Sequence, residues 1–190
     1  MINRRHLLEL LISVSGAGTA AILLSSCSDN RNEVMADTTS LFTRDQLETL
    51  RHICMQTIPA TDTPGAADVN CHQFIDRQLK IVFTELDQQS SMILLDKIRS
   101  VSDLYGAAVF ERLHPDKQLL LLEDLEASKG PFVASDVVVF KLLKGLIVFG
   151  YYTSEQGATK ELNYLATPDG FKGSVPLAQV NRAYSSKAYY

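Results

Sequence analysis

Four histidines and three cysteines carry much of the chemistry that this 190-residue chain has to offer. Glu111-x-x-His114 matches one half of a carboxylate-bridged di-iron site, but such a site needs two of these pairs and further inward glutamates. His114 also abuts Pro115, so it ends its helix rather than facing a bundle core. Glu48 and His52, and Asp68 and His72, are each spaced i, i+4. On a helix the first pair reaches one ion, whereas the second straddles the expected helix start. All three spacings read as solvent-facing polar pairs, and no metal site is expected.

Cofactor and nucleophile motifs are also missing. No glycine-rich nucleotide loop follows a strand, so neither NAD nor FAD is expected on this chain. Cys71-His72 lacks the second cysteine three residues earlier that covalent haem attachment needs. Ser154-Glu155 has no G-x-S-x-G elbow around it. No catalytic residue and no cofactor is expected. Cys54 and Cys71 flank one loop and leave three readings open. They are bridged to each other, which would add roughly 3 kcal/mol, they are separate buried thiols, or one pairs with another chain.

The elements that position these residues are helical. Thr43-Arg44-Asp45-Gln46 has capping-box spacing, and Leu47, Leu50, Cys54 and Ile58 recur at helical intervals until Pro59 stops the run. Pro59–Asn70 is dense in turn formers and reads as a loop. A second helix is expected from about Asn70, with Gln73 three residues on, carrying Phe74, Ile75, Leu79, Val82, Phe83 and Leu86. A third covers roughly Ser90 to Tyr105, with Ile93, Leu94, Ile98, Val101 and Leu104 inward; a short stretch from Ala107 to Leu113 follows Gly106. Pro115 opens a further helix through Leu119, Leu122 and Leu125 to Ser128, which Gly130-Pro131 ends. Ser135–Tyr152 is the most hydrophobic stretch. Its β-branched residues suit a buried strand, but its length favours a central core helix, and Lys141 and Lys144 near its middle argue against a membrane span. A short helix is expected over Thr159–Leu165 in an otherwise irregular C-terminal segment. The fold class expected is all-α: a compact bundle of about five to six helices with long irregular loops.

Composition agrees with a foldable globular chain, 46% hydrophobic and 21% charged. The formal net charge of -4 argues against nucleic-acid binding, since no basic face is available to neutralise phosphates. The first residues carry Arg4 and Arg5 ahead of a moderately apolar run from Leu10 to Leu24, too short and too polar for a comfortable membrane span. That is the pattern of an export signal over residues 1–26. Leu24-Ser25-Ser26-Cys27 looks like a bacterial lipobox, with Cys27 as the residue that takes the lipid and residues 27–40 as a polar tether. Asn3-Arg4-Arg5-His6-Leu7-Leu8 resembles a twin-arginine signal, although two adjacent arginines also occur in general secretory signals. The expected location is the periplasmic face of a bacterial membrane, inner or outer. The domain spans residues 41–178, and a polar aromatic tail covers 179–190.

Ile58-Pro59-Ala60-Thr61-Asp62-Thr63-Pro64-Gly65-Ala66, followed by Phe74-Ile75-Asp76, resembles the gluconate 2-dehydrogenase subunit 3 family. So does Gly150-Tyr151-Tyr152-Thr153-Ser154-Glu155-Gln156-Gly157, followed by Tyr164, Pro168-Asp169-Gly170-Phe171 and Gly173-Ser174-Val175-Pro176. The likeness covers about Leu41 to Leu177. It departs where Ser174 replaces a cysteine often seen in the family, and only part of the family has a lipobox. The resemblance implies a small accessory subunit without a redox centre. Its partners would be a large FAD-dependent sugar or sugar-acid dehydrogenase and often a cytochrome c. The expected contact comprises Pro59, Asp62, Pro64, Gly65, Tyr151, Tyr152, Ser154 and Glu155. A stand-alone envelope lipoprotein, acting as a scaffold or binding module, is the alternative.

Overall fold

The computed structural model describes residues 40–164, 170, 173–180 and 182–184. Arg4, Arg5, Cys27 and the 168–169 and 171 positions of the family-like blocks lie outside the described residues, as does most of the 179–190 tail. Five α-helices form an all-α bundle: α1 (Arg44–Thr57), α2 (Cys71–Val82), α3 (Glu85–Ser100), α4 (Pro115–Glu126) and α5 (Ala134–Tyr152). Among the described residues no strand forms, and Asn163 and Tyr184 make one isolated β-bridge. α5 packs against all four other helices, which makes it the central element. Leu50, Ile53, Ile75, Leu79, Leu94, Leu95, Ile98, Leu121, Leu125, Leu143 and Ile147 are buried around it. Each such side chain contributes about 1.5–3 kcal/mol by leaving water.

Local chemistry sets most of the boundaries. The Gln46 amide donates to Thr43 Oγ1 at 3.2 Å, and the Thr43 amide donates to Gln46 Oε1 at 3.0 Å, so α1 starts with the expected capping box. Ile58, the residue before Pro59, leaves helical backbone (φ -135°, ψ 89°) and ends the helix. Pro115 opens α4 as expected, where no amide hydrogen is needed.

Four expectations are corrected. No second capping box forms at Asn70: its backbone is left-handed (φ 57°) and its side chain makes no capping bond. The Cys71 amide is satisfied by Ala66 O at 3.1 Å instead, as the loop folds back. α3 starts at Glu85, five residues before Ser90, because Thr84 and Asp87 form a box of their own. It ends at Ser100, and a 3-10 turn, Ser102–Tyr105, follows before Gly106 with φ 113°. Ile93 and Leu104, expected inward, are exposed, as are Val82 at the end of α2 and Leu86, which belongs to α3 rather than to the second helix. The inward set of α3 is Ser91, Leu94, Leu95 and Ile98, a face rotated from the one containing Ile93. Finally, the short helix expected over Thr159–Leu165 is a π-helix at Gly157–Glu161, starting two residues earlier; Leu165 lies outside the described residues.

Polar side chains fix the helices relative to one another. The Arg99 guanidinium on α3 donates to Glu111 Oε1 at 2.7 Å and to Asp45 Oδ2 at 3.0 Å, joining α3 to α1 and to the turn before α4. Lys97 pairs with Asp136 at 2.6 Å, and Asp136 also accepts from the Val133 amide, so one carboxylate both starts α5 and ties it to α3.

Candidate functional site

The histidine–carboxylate spacings do not converge. Glu111 is held by Arg99 and Thr49, whereas His114 is exposed at the start of α4, 3.3 Å from Asp116. His52 Nε2 lies 3.6 Å from Glu48, and its Nδ1 meets the Gln118 amide at 3.1 Å. Asp68 accepts from the Gly65 amide at 2.8 Å, which closes a loop turn. Among the described residues no group of three or more histidine, cysteine or acidic side chains stands close enough to hold a metal ion.

Cys54 and Cys71 are both fully buried free thiols. Burial raises both thiols, Cys71 to about 11, and Cys54 is pushed up further by the adjacent Cys71.

What converges is the proline loop and the end of α5. The Tyr151 hydroxyl donates to Pro64 O at 2.9 Å, and the Thr63 hydroxyl donates to Glu161 Oε2 at 2.7 Å. These bonds join chain segments 87 and 98 residues apart. The glycines explain why the approach is so close. A Cβ at Gly65 would lie 2.6 Å from Ala60 N, 2.7 Å from Ile58 O and 2.8 Å from Pro59 C. The loop therefore closes on itself, with the Ala66 amide bonded to Ile58 O at 2.9 Å. A Cβ at Gly157 would lie 2.1 Å from Tyr151 O. Gly150 leaves room for the Phe74 ring, 2.6 Å from where its Cβ would stand.

These contacts sort the eight residues expected at a partner surface. Tyr151 is 1% exposed, and burial raises its phenol above the ordinary value. Its ring belongs to the core and offers nothing to a partner. Gly65 is buried, and the Pro64 carbonyl is occupied by Tyr151. Ser154 is consumed in the turn after α5: its hydroxyl donates to Tyr151 O at 2.6 Å and accepts from the Gly157 amide at 3.1 Å. Pro59, Asp62, Tyr152 and Glu155 remain exposed. Asp62 and Tyr152 line one cavity of about 400 Å³ together with Thr63, Glu161, Leu162 and Arg182. Arg182 donates to Lys160 O, so the C-terminal segment closes that cavity from one side.

A second, larger cavity of about 990 Å³ lies at the inner side of the same loop, between α1 and the start of α2. Arg51, Met55, Pro59, Asp68 and His72 are among its walls. His72 is 8% exposed and its Nδ1 has no partner among the described residues. Burial and the nearby Arg51 lower the tendency of the imidazole to take up a proton.

The arrangement is that of an all-helical domain with two cavities flanking one proline loop. Most of its buried polar side chains are hydrogen-bonded to one another or to backbone; His72 Nδ1 and Gln156 Oε1 have no partner among the described residues. The sequence pattern of the gluconate 2-dehydrogenase subunit 3 family matches residues 44–170, and the chain belongs to that family. The family description makes it a subunit of a gluconate 2-dehydrogenase type of complex. No curated protein and no solved structure matches the chain.

Proposed function

We propose that this chain is a non-catalytic accessory subunit of a periplasmic, membrane-associated, flavin-dependent sugar or sugar-acid dehydrogenase. In this reading it stabilises the catalytic flavoprotein and assists its export through the signal containing Arg4 and Arg5. A lipid on Cys27 holds the assembly at the membrane, and a cytochrome c subunit is a further partner. The observation that carries the reading is the meeting of the two family-like blocks at one surface, where Asp62 and Tyr152 stand exposed over a single cavity. A loop stiffened by Pro59 and Pro64 and closed at Gly65 loses little entropy on docking, which suits a permanent interface. Tyr152 offers apolar area with a polar tip, the kind of side chain enriched at interface centres.

The test is recovery of a co-purifying flavoprotein with the wild-type chain and with Asp62→Ala and Tyr152→Ala, each checked for folding by circular dichroism. Reduced recovery by folded variants is expected. Wild-type recovery by both would remove this surface from the contact.

A further inference from the structure

The central helix carries a cost that its own fold does not explain. Gly145 lies in the interior of α5 on an exposed face, and a Cβ there would meet nothing within 4 Å. A glycine at an exposed helix interior weakens folding about fivefold relative to alanine. No close approach among the described residues requires it.

What surrounds Gly145 supplies a reason. Ala134, Val138, Lys141, Gly145, Val148 and Tyr152 recur at alternating steps of four and three, and every one of them is exposed. This is the spacing of a seam that receives another helix. Val138 is 69% exposed, and Phe149 beside the seam is 58% exposed, so large apolar side chains stand in water along most of its length. Lys144, on a neighbouring face, is paired with Glu126, whereas Lys141 makes no ion pair among the described residues.

We propose that this face of α5 is the docking seam for a helix of the flavoprotein partner, with closest approach at Gly145 and a carboxylate on that helix meeting Lys141. The inference rests on the partner reading above and deepens it. Without a side chain at the crossing, the two helix axes approach at the short end of the usual range of about 8–10 Å. The 19 residues of α5 span roughly 28 Å, enough for several turns of a partner helix. The seam ends at Tyr152, which also lines the cavity under the proline loop, so helix and loop form one continuous surface. Charge argues against a second copy of this chain as the occupant. An antiparallel pairing about Gly145 sets Lys141 against Val148 and Phe149 of the other copy, with no carboxylate to meet it.

Gly145→Leu fills the seam, Lys141→Glu reverses its charge, and Gly145→Ala serves as the control variant. The full chain of each is tested for flavoprotein recovery, and the isolated subunit for melting temperature and oligomeric state. Gly145→Ala is expected to raise the melting temperature of the isolated subunit by about 2–4 °C. Gly145→Leu is expected to stay folded and lose flavoprotein recovery by about tenfold or more, the effect of a modest interface clash. Lys141→Glu should lower recovery several-fold. Undiminished recovery with folded Gly145→Leu overturns the seam. A wild-type subunit that is dimeric alone and monomeric as Gly145→Leu overturns the choice of occupant. If the wild type recovers no flavoprotein at all, the partner reading itself falls, and that result is separate from the other two.

Discussion

Replacing Gly65 with alanine is expected to destabilise the domain by about 2–4 kcal/mol, far more than one methyl group at a loop position would suggest. The added Cβ lies 2.6–2.8 Å from three backbone atoms of Ile58, Pro59 and Ala60, closer than non-bonded atoms approach. Backbone cannot swing aside as a long side chain can, so the loop must open. Overpacking of this kind costs typically about 1–3 kcal/mol. Opening also stretches the 2.9 Å bond from the Ala66 amide to Ile58 O, worth about 1 kcal/mol. The control is Gly130→Ala. Gly130 has φ 60° and open space around it, so only backbone strain of roughly 1–2 kcal/mol applies. Urea unfolding followed by far-ultraviolet circular dichroism measures both, because the chain is helical and has no tryptophan to report by fluorescence. In a domain of this size the Gly65 variant should melt roughly 5–15 °C lower. A Gly65→Ala variant as stable as wild type, or one less perturbed than Gly130→Ala, would refute the closed-loop argument.

The thiols of Cys54 and Cys71 should resist alkylation in the folded protein and react on unfolding without reductant; absence of either thiol after unfolding would show a bridge. Because burial raises Cys71 to about 11, the unfolded chain loses protons first, and stability should fall as pH rises from about 9 towards 11. His72 shifts the other way: burial lowers its pKa, so below the ordinary value of 6.5 the unfolded chain binds the extra proton and stability falls with falling pH. His72→Gln should flatten that acid slope in melting curves between about pH 5 and 7, and an unchanged slope would assign it to other groups. Cys27→Ala should release the protein from membranes and stop processing at that site, and Arg4→Lys with Arg5→Lys should block export by the twin-arginine route. Normal processing and full membrane retention of the first, or unimpaired export of the second, would contradict the respective assignment.

Local signals made much of the fold legible. Thr43 with Gln46, Pro59 and Pro115 mark helix ends through backbone chemistry that a few residues decide, and each boundary stands within a residue or so of its expected place. Thr84 with Asp87 is the same kind of signal, obscured in the sequence because the apolar pattern runs through it from Val82 to Leu86. Ile93 and Leu94 show the limit of periodicity: with apolar residues adjacent in sequence, only packing against α5 decides which one faces in. The contact region was legible as two blocks but not residue by residue. Tyr151 and Tyr152 are neighbours in sequence on different faces of α5, so one is core and the other surface. Gly157 needs its freedom because of Tyr151 O, and Thr63 finds Glu161 across 98 residues. Nothing local encodes that last pairing. The exposed seam through Gly145 was hidden by the same hydrophobicity that marked α5 as a core helix.

The central claim is that the chain works by holding a flavoprotein. The most direct measurement is to isolate the full wild-type chain from envelopes of its own cells and weigh the intact assembly by native mass spectrometry, with flavin absorbance read on the same sample. The account predicts a stable complex in which this chain accompanies a larger, flavin-containing dehydrogenase. A chain that emerges alone and colourless, under conditions in which the dehydrogenase stays intact elsewhere, would contradict it.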